Sequence, residues 1–169
     1  MASMDDDNWY DDMPSADPAI RTDYEAALGR FILAFNEADY RLSQVIAAEL
    51  SERGHPDLAA TASKGNFTQR LEKLEILASS TKSKQLSALP VAKLRSLNSD
   101  RNALAHGHFD QNPYDGSYQL ILAAKGRDYP ILRILRLTEE LTQIVDNLRT
   151  AELLYHFEDL TDESKGKGP

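Results

Sequence analysis

The chain has no cysteine, which excludes a disulfide scaffold and a thiolate metal site. No apolar run approaches the roughly 20 residues that cross a bilayer. The first residues are acidic, so neither a membrane span nor a signal peptide is expected, and a cytoplasmic protein is the simplest expectation. Also missing are a phosphate-binding glycine loop, a zincin motif and a Ser-His-Asp order of the hydrolase kind. Positive charge is in short supply. Nineteen Lys and Arg face 27 Asp and Glu, for a formal charge of −8, so the total does not announce a nucleic-acid partner. What is present is enough: 169 residues, 41% of them hydrophobic, suit one domain with a substantial core plus tails.

The distribution of charge says more than its sum. Residues 1–18 hold six aspartates (Asp5, Asp6, Asp7, Asp11, Asp12, Asp17) and no base, leaving −2 for the remainder. From Lys64 to Arg136, twelve Lys or Arg stand against six acids. A basic middle between acidic ends permits an RNA substrate, although a mixed solvated surface behind an acidic leader gives the same counts. The leader, broken by Pro14 and Pro18, is expected to be disordered. Its Trp9 and Tyr10 form an aromatic pair that either docks onto a basic groove or goes unused.

From about Ala19 to Arg53, Tyr24, Leu28, Phe31, Phe35, Ala38, Leu42, Val45 and Ala48 recur at steps of three and four. That spacing predicts one long helix, ended by Gly54, His55 and Pro56. A polar connection over 55–65 includes a short helical turn near Leu58–Thr61. Asn66 caps a second helix to about Ser79, with Phe67, Leu71, Leu74 and Leu77 on its inner face. A flexible basic loop over 79–84 follows. The third helix starts near Leu89, with Pro90 in its first turn, and runs to His106.

Beyond Gly107, Asn112-Pro113 and Asp115-Gly116 are turn signals. Ser117–Ala124 and Tyr129–Leu137, flanking Lys125–Asp128, read as a hairpin, with Tyr129-Pro130 restricting the start of the second strand to an edge or irregular position. Thr138 then caps a fourth helix. Glu139 and Glu140 fall in its first turn, and Leu141, Ile144, Val145, Leu148, Leu153 and Phe157 form its apolar side. The expectation is an all-α, up-and-down four-helix bundle over 19–160, with a hairpin (about 117–137) before the last helix and a frayed tail over 161–169.

The third helix carries the chemistry. Leu94, Leu97, Arg101 and Leu104 follow a three-four-three spacing, so Arg101 holds a position reserved for an apolar side chain. A guanidinium there must pair with a carboxylate, such as Glu37 or Asp39, or open onto a polar groove. Asn98, Asn102 and His106, four apart, line a neighbouring polar stripe. Arg101 and His106 differ by about 140° around an ideal helix, so they do not point the same way, yet both can border one cleft at the helix end, most readily when a second subunit supplies the opposite wall. Asp100 is near enough in sequence to tune either group. His106 occupies the last turn, where the helix dipole favours a cation, and Gly107 reads as a left-handed cap. The segment His106-Gly-His108 offers too few ligands for a metal without a third such as Asp110, so none is assigned. On the structural reading Arg101 anchors the bundle and His106 caps carbonyls. On the functional reading they bind a phosphate and move a proton.

Arg101-Asn102-Ala-Leu-Ala-His106 resembles the signature of HEPN domains, in which an arginine, commonly followed by a polar residue, precedes a histidine near the end of the third main helix. The fold-level resemblance covers roughly residues 20–158. It implies an all-helical homodimer and, as in the many ribonuclease toxins of that family, a metal-independent endoribonuclease with no cofactor. On that resemblance Arg101 binds the scissile phosphate, His106 transfers protons, Asn102 orients either group, and His108 is a second acid–base candidate. Lys82, Lys84, Lys93 and Arg95 are then candidates for tracking the RNA backbone, and an antitoxin or other protein is a possible partner. One branch of the family carries a modifiable tyrosine two residues after the histidine. His108 stands there instead, which puts that mode of control in doubt. The alternative is a non-catalytic module of the same fold that binds RNA, a nucleotide or a protein. A third reading, an acidic nucleic-acid mimic, has little beyond net charge behind it.

Overall fold

The computed structural model describes residues 16–80, 84–122 and 125–165. The described chain is mostly helical, with α1 (Pro18–Glu52), α2 (Pro56–Ala59), α3 (Phe67–Ser80), α4 (Lys84–Ser87) and α5 (Val91–His106) preceding a small sheet. The sheet comprises β1 (His108–Gln111), β2 (Tyr118–Leu122) and β3 (Lys125–Asp128), antiparallel in that order, and α6 (Ile131–Lys165) closes the fold. Trp9, Tyr10 and Lys82 lie outside the described residues, as does the centre of the basic loop over 79–84.

Local chemistry explains the helix ends. Asp17 Oδ1 accepts a hydrogen bond from the Ala19 amide at 2.8 Å, and Pro18 occupies the first helical position of α1. At the other end Gly54 adopts φ +77°. The His55 amide donates to Leu50 O and the Gly54 amide to Ser51 O, each at 2.9 Å. These are the paired bonds of a Schellman termination. Asn66 and Gln69 form a reciprocal capping box at the start of α3, at 3.0 and 2.9 Å.

The helices do not alternate up and down. Near the start of α3, Phe67 packs on Phe35 and Arg70 binds Asp39. Near its end, Arg53 donates to Leu77 O and Ser80. Thus α3 runs parallel to α1, a correction to the up-and-down expectation. The connection after Glu52 therefore travels back about 26 Å along α1. Cations on α3 pin it: Arg70 donates to Ser63 O and Gly65 O, and Lys73 to Thr61 O and Lys64 O. Helix α5 is antiparallel to α3, as Asn98–Thr68 and Arg95–Glu75 show. Helix α6 is parallel to α1, with Glu37 against Arg149 and Arg41 against Glu152.

Other expectations are corrected by the same geometry. Pro90 is the N-cap of α5 rather than part of its first turn. Tyr129–Leu137 is not a strand. Ile131, Ile134 and Leu137 repeat at three, and α6 already begins at Ile131, with the Ile134 amide donating to Pro130 O. Strand alternation through this segment would set Arg133 on one face with Ile131 and Leu135, whereas helical spacing buries Ile134, Leu137, Leu141, Ile144, Val145 and Leu148 together. Thr138 is therefore internal, its hydroxyl donating to Ile134 O, and Glu140 lies well beyond the first turn. Leu153 is 54% exposed, and Ala151 and Tyr155 are buried instead. Helix α6 continues to Lys165, through most of the segment expected to fray. The first strand of the sheet, β1, had no hydrophobic alternation to announce it. Among the described residues, no helix is long and apolar enough to cross a membrane.

Candidate functional site

Three turns of α5 set the site. Leu94, Leu97, Ala103 and Leu104 are buried and fix the helix against the core. That leaves Arg101 half-buried at the edge of the seam and Asn102 exposed beside it. The Arg101 guanidinium lies 5.6 Å from the centroid of the Phe35 ring, a cation–π contact. Its Nη1 donates to Asn102 Oδ1 at 3.1 Å. Its Nε is buried and finds no acceptor among the described residues.

Both carboxylates considered as anchors for Arg101 are engaged elsewhere. Asp39 makes a two-pronged pair with Arg70, at 2.8 and 2.5 Å. Glu37 receives Arg149, and lies 3.7 Å from Arg41. Hydrogen bonding to Glu37 is the first cause that raises the Arg149 pKa above its ordinary value. Among the described arginines that are at least partly buried, Arg41, Arg53, Arg70, Arg95 and Arg133 each have a carboxylate partner. Arg101 has none.

Asp100 is bonded to α6 and to the segment before it rather than to Arg101 or His106. It accepts from the Tyr129 hydroxyl at 2.7 Å and from Arg133 at 3.2 Å, while the Arg133 guanidinium sits 4.0 Å over the Tyr129 ring. The aspartate thereby ties α5 to the start of α6.

His106 is exposed on the last turn of α5. Gly107 follows, but not as a left-handed cap: its φ is −76° and ψ 158°, extended backbone open to any residue. Glycine is needed there for space. A Cβ would meet the buried Leu120 side chain and lie 2.8 Å from Ala103 O. The close approach of β2 turns the chain straight from helix into sheet, with His108 opposite Ile121. His108 and Asp110 are exposed, whereas Phe109 and Gln111 on the other face are half-buried. Phe109 meets Tyr24 edge-on at 5.7 Å.

The structure thus brings Arg101 and Asn102 into contact and leaves His106 and His108 exposed at the helix-to-strand junction. Lys93 and Arg95 diverge. Lys93 pairs with Glu140 on α6 at 2.8 Å, and Arg95 with Glu75 on α3 at 2.6 Å. The Glu75 hydrogen bond raises the Arg95 pKa above its ordinary value. The side chain of Lys84 lies outside the described residues, like Lys82. Phe35, the platform under Arg101, was legible only as a member of the α1 seam; its meeting with α5 is a tertiary fact without a local signal.

Among the described residues, no group of three or more His, Asp or Glu side chains is placed to hold a metal. Cavities of about 440 Å³ (Gln44, Ala48, Glu152, Tyr155) and 390 Å³ (Arg21, Tyr24, Phe109, Tyr118) lie elsewhere, and neither is lined by Arg101, Asn102, His106 or His108. Comparisons with protein-family models, curated proteins and solved structures found no match.

Proposed function

We propose that the chain is a HEPN-like, metal-independent endoribonuclease that works as a homodimer. One observation carries the reading: Arg101 is the partly buried arginine that has no carboxylate partner among the described residues. A guanidinium withheld from an anion inside the fold is available to an anion outside it, and a phosphodiester supplies two oxygens in matching geometry. Arg101 binds the scissile phosphate and stabilises the charge developing on it. Asn102, already bonded to Arg101, orients the guanidinium. His106 removes the proton from the ribose 2′-hydroxyl as that oxygen attacks phosphorus. The 5′-oxygen leaves with a proton supplied by a second acid–base group, His108 or His106 of the partner subunit. The products are a 2′,3′-cyclic phosphate and a 5′-hydroxyl.

A toxin or defence effector would fit this activity, and an antitoxin would then be a natural partner. The dimer matters because Arg101 and His106 point about 140° apart on one helix, and a two-fold axis near α5 gathers both sets around one cleft. The same divergence favours a second reading, a non-catalytic module that binds RNA through Arg101 alone. Cleavage of RNA in chelator, with analysis of product ends, separates them. The enzyme leaves cyclic phosphate ends, and His106→Ala abolishes them while retaining RNA binding. Intact RNA with wild-type protein, or equal cleavage by His106→Ala, removes the enzyme reading.

A further inference from the structure

A second feature lies at the N-terminal end of α1 and is argued independently of the ribonuclease reading. Because α1 and α6 run parallel, their N-termini share one end of the molecule. There a cavity of about 200 Å³ is lined by Ile20, Tyr24, Gly116, Tyr118, Pro130 and Leu132, among others. Tyr24 and Tyr118 are stacked with centroids 4.2 Å apart, and both also line the neighbouring 390 Å³ cavity. The surface is apolar and uncovered: Leu132 at its rim is 79% exposed. Asp128 is a carboxylate at the rim, and Glu25 in the neighbouring cavity is held by Arg21 at 2.8 Å.

The chain that precedes α1 leaves the fold at this same place. The Ala16 amide donates to Pro113 O at 3.1 Å, and a Cβ on Gly116 would lie 3.1 Å from the Ala16 side chain and 2.9 Å from Ile20. Residues 1–15 carry Asp5, Asp6, Asp7, Asp11 and Asp12, together with Trp9, Tyr10 and Met13. Tyr10 lies six residues before Ala16, a reach of up to about 20 Å. The first turn of α6 contains no acid, so its N-terminus, unlike that of α1, which the Asp17 carboxylate already caps, keeps the partial positive charge that favours carboxylates.

We infer that the leader folds back on this end, with Trp9 and Tyr10 seated against Tyr118 and Leu132 and Asp11 and Asp12 near the N-terminus of α6. The leader covers an apolar patch that would otherwise invite association; it does not occupy the Arg101 surface. Trp9 is the sole tryptophan, so its fluorescence reports the docking directly. In the full chain, Trp9 emission is expected to be blue-shifted and shielded from acrylamide relative to a peptide of residues 1–15, independently of protein concentration. Leu132→Asp, on an exposed position that spares the fold by circular dichroism, restores peptide-like emission and quenching; Asp11→Asn with Asp12→Asn moves it part of the way. Peptide-like emission in the wild type, no response to Leu132→Asp, or shielding that develops only with rising concentration, as a second copy would give, overturns the inference.

Discussion

Arg70 and Arg101 are both arginines that face α1 from neighbouring helices, and they are used in opposite ways. Arg70, with 10% of its side chain exposed, bonds both oxygens of Asp39 and two backbone carbonyls of the returning connection. It closes a structural loop, with four of its five N–H donors committed to the fold. Arg101 rests on the Phe35 ring, bonds a neutral amide, and keeps Nε without an acceptor. A buried donor left unbonded destabilises a fold by about 1–3 kcal/mol. On the proposed reading, the unbonded donor on the helix that also carries Asn102 and His106 is where stability yields to binding.

The comparison breaks most visibly at Arg70. Arg70→Ala leaves Asp39 uncompensated and unpins the connection after α1, so a loss of about 2–3 kcal/mol is expected, read by urea denaturation. Arg101→Ala, by contrast, is expected to change stability by no more than about 1 kcal/mol. Equal losses at the two positions would make Arg101 a structural anchor. Gly107→Ala comes next. Its Cβ must displace Leu120 or part the helix from β2, at a cost of about 1–3 kcal/mol, and RNA cleavage should fall with it because His106 and His108 flank the shifted residue. If the variant is fully stable, the close approach of β2 does not fix the site.

The smallest effect concerns another buried polar atom with no partner among the described residues, the Tyr24 hydroxyl. Burial, then the neighbouring Tyr118 and Asp128, pushes the Tyr24 pKa up to about 12 from 10.0. The fold prefers the neutral phenol. Its contribution is therefore complete below pH 10 and is lost as the pH rises through about 12. Tyr24→Phe should be neutral or stabilising at pH 7, within about 1 kcal/mol, and should flatten the fall in stability across that alkaline window. A large loss at neutral pH would reveal a hidden partner and weaken the meaning attached to the bare Nε of Arg101.

What was legible in the sequence follows from how local each signal is. The seam of α1, the Gly54 termination and the Asn66 cap are written in neighbouring residues, and each is found where the spacing placed it. Arg101 stood out because it interrupts Leu94, Leu97 and Leu104. Its lack of a carboxylate was not readable, since that depends on Asp39 choosing Arg70 and Glu37 choosing Arg149. The parallel course of α3 was hidden for the same reason. It rests on a backbone connection held by Arg70 and Lys73, residues that look like ordinary surface cations in a helical pattern. The segment Ile131–Leu137 misled because β-branched composition and a preceding proline outweighed a three-residue repeat too short to assert itself. Tertiary burial of Ile134 and Leu137 decided in favour of the helix.

The central claim is that Arg101 is kept for a phosphodiester rather than for the fold. The most direct measurement is cleavage of single-stranded RNA in chelator by wild type and Arg101→Ala, with the melting curve of each recorded in the same buffer. The account predicts cleavage by the wild type and a loss of at least about 100-fold in Arg101→Ala, with melting transitions nearly superimposed. Undiminished cleavage by Arg101→Ala, or activity lost only in step with stability, would contradict it.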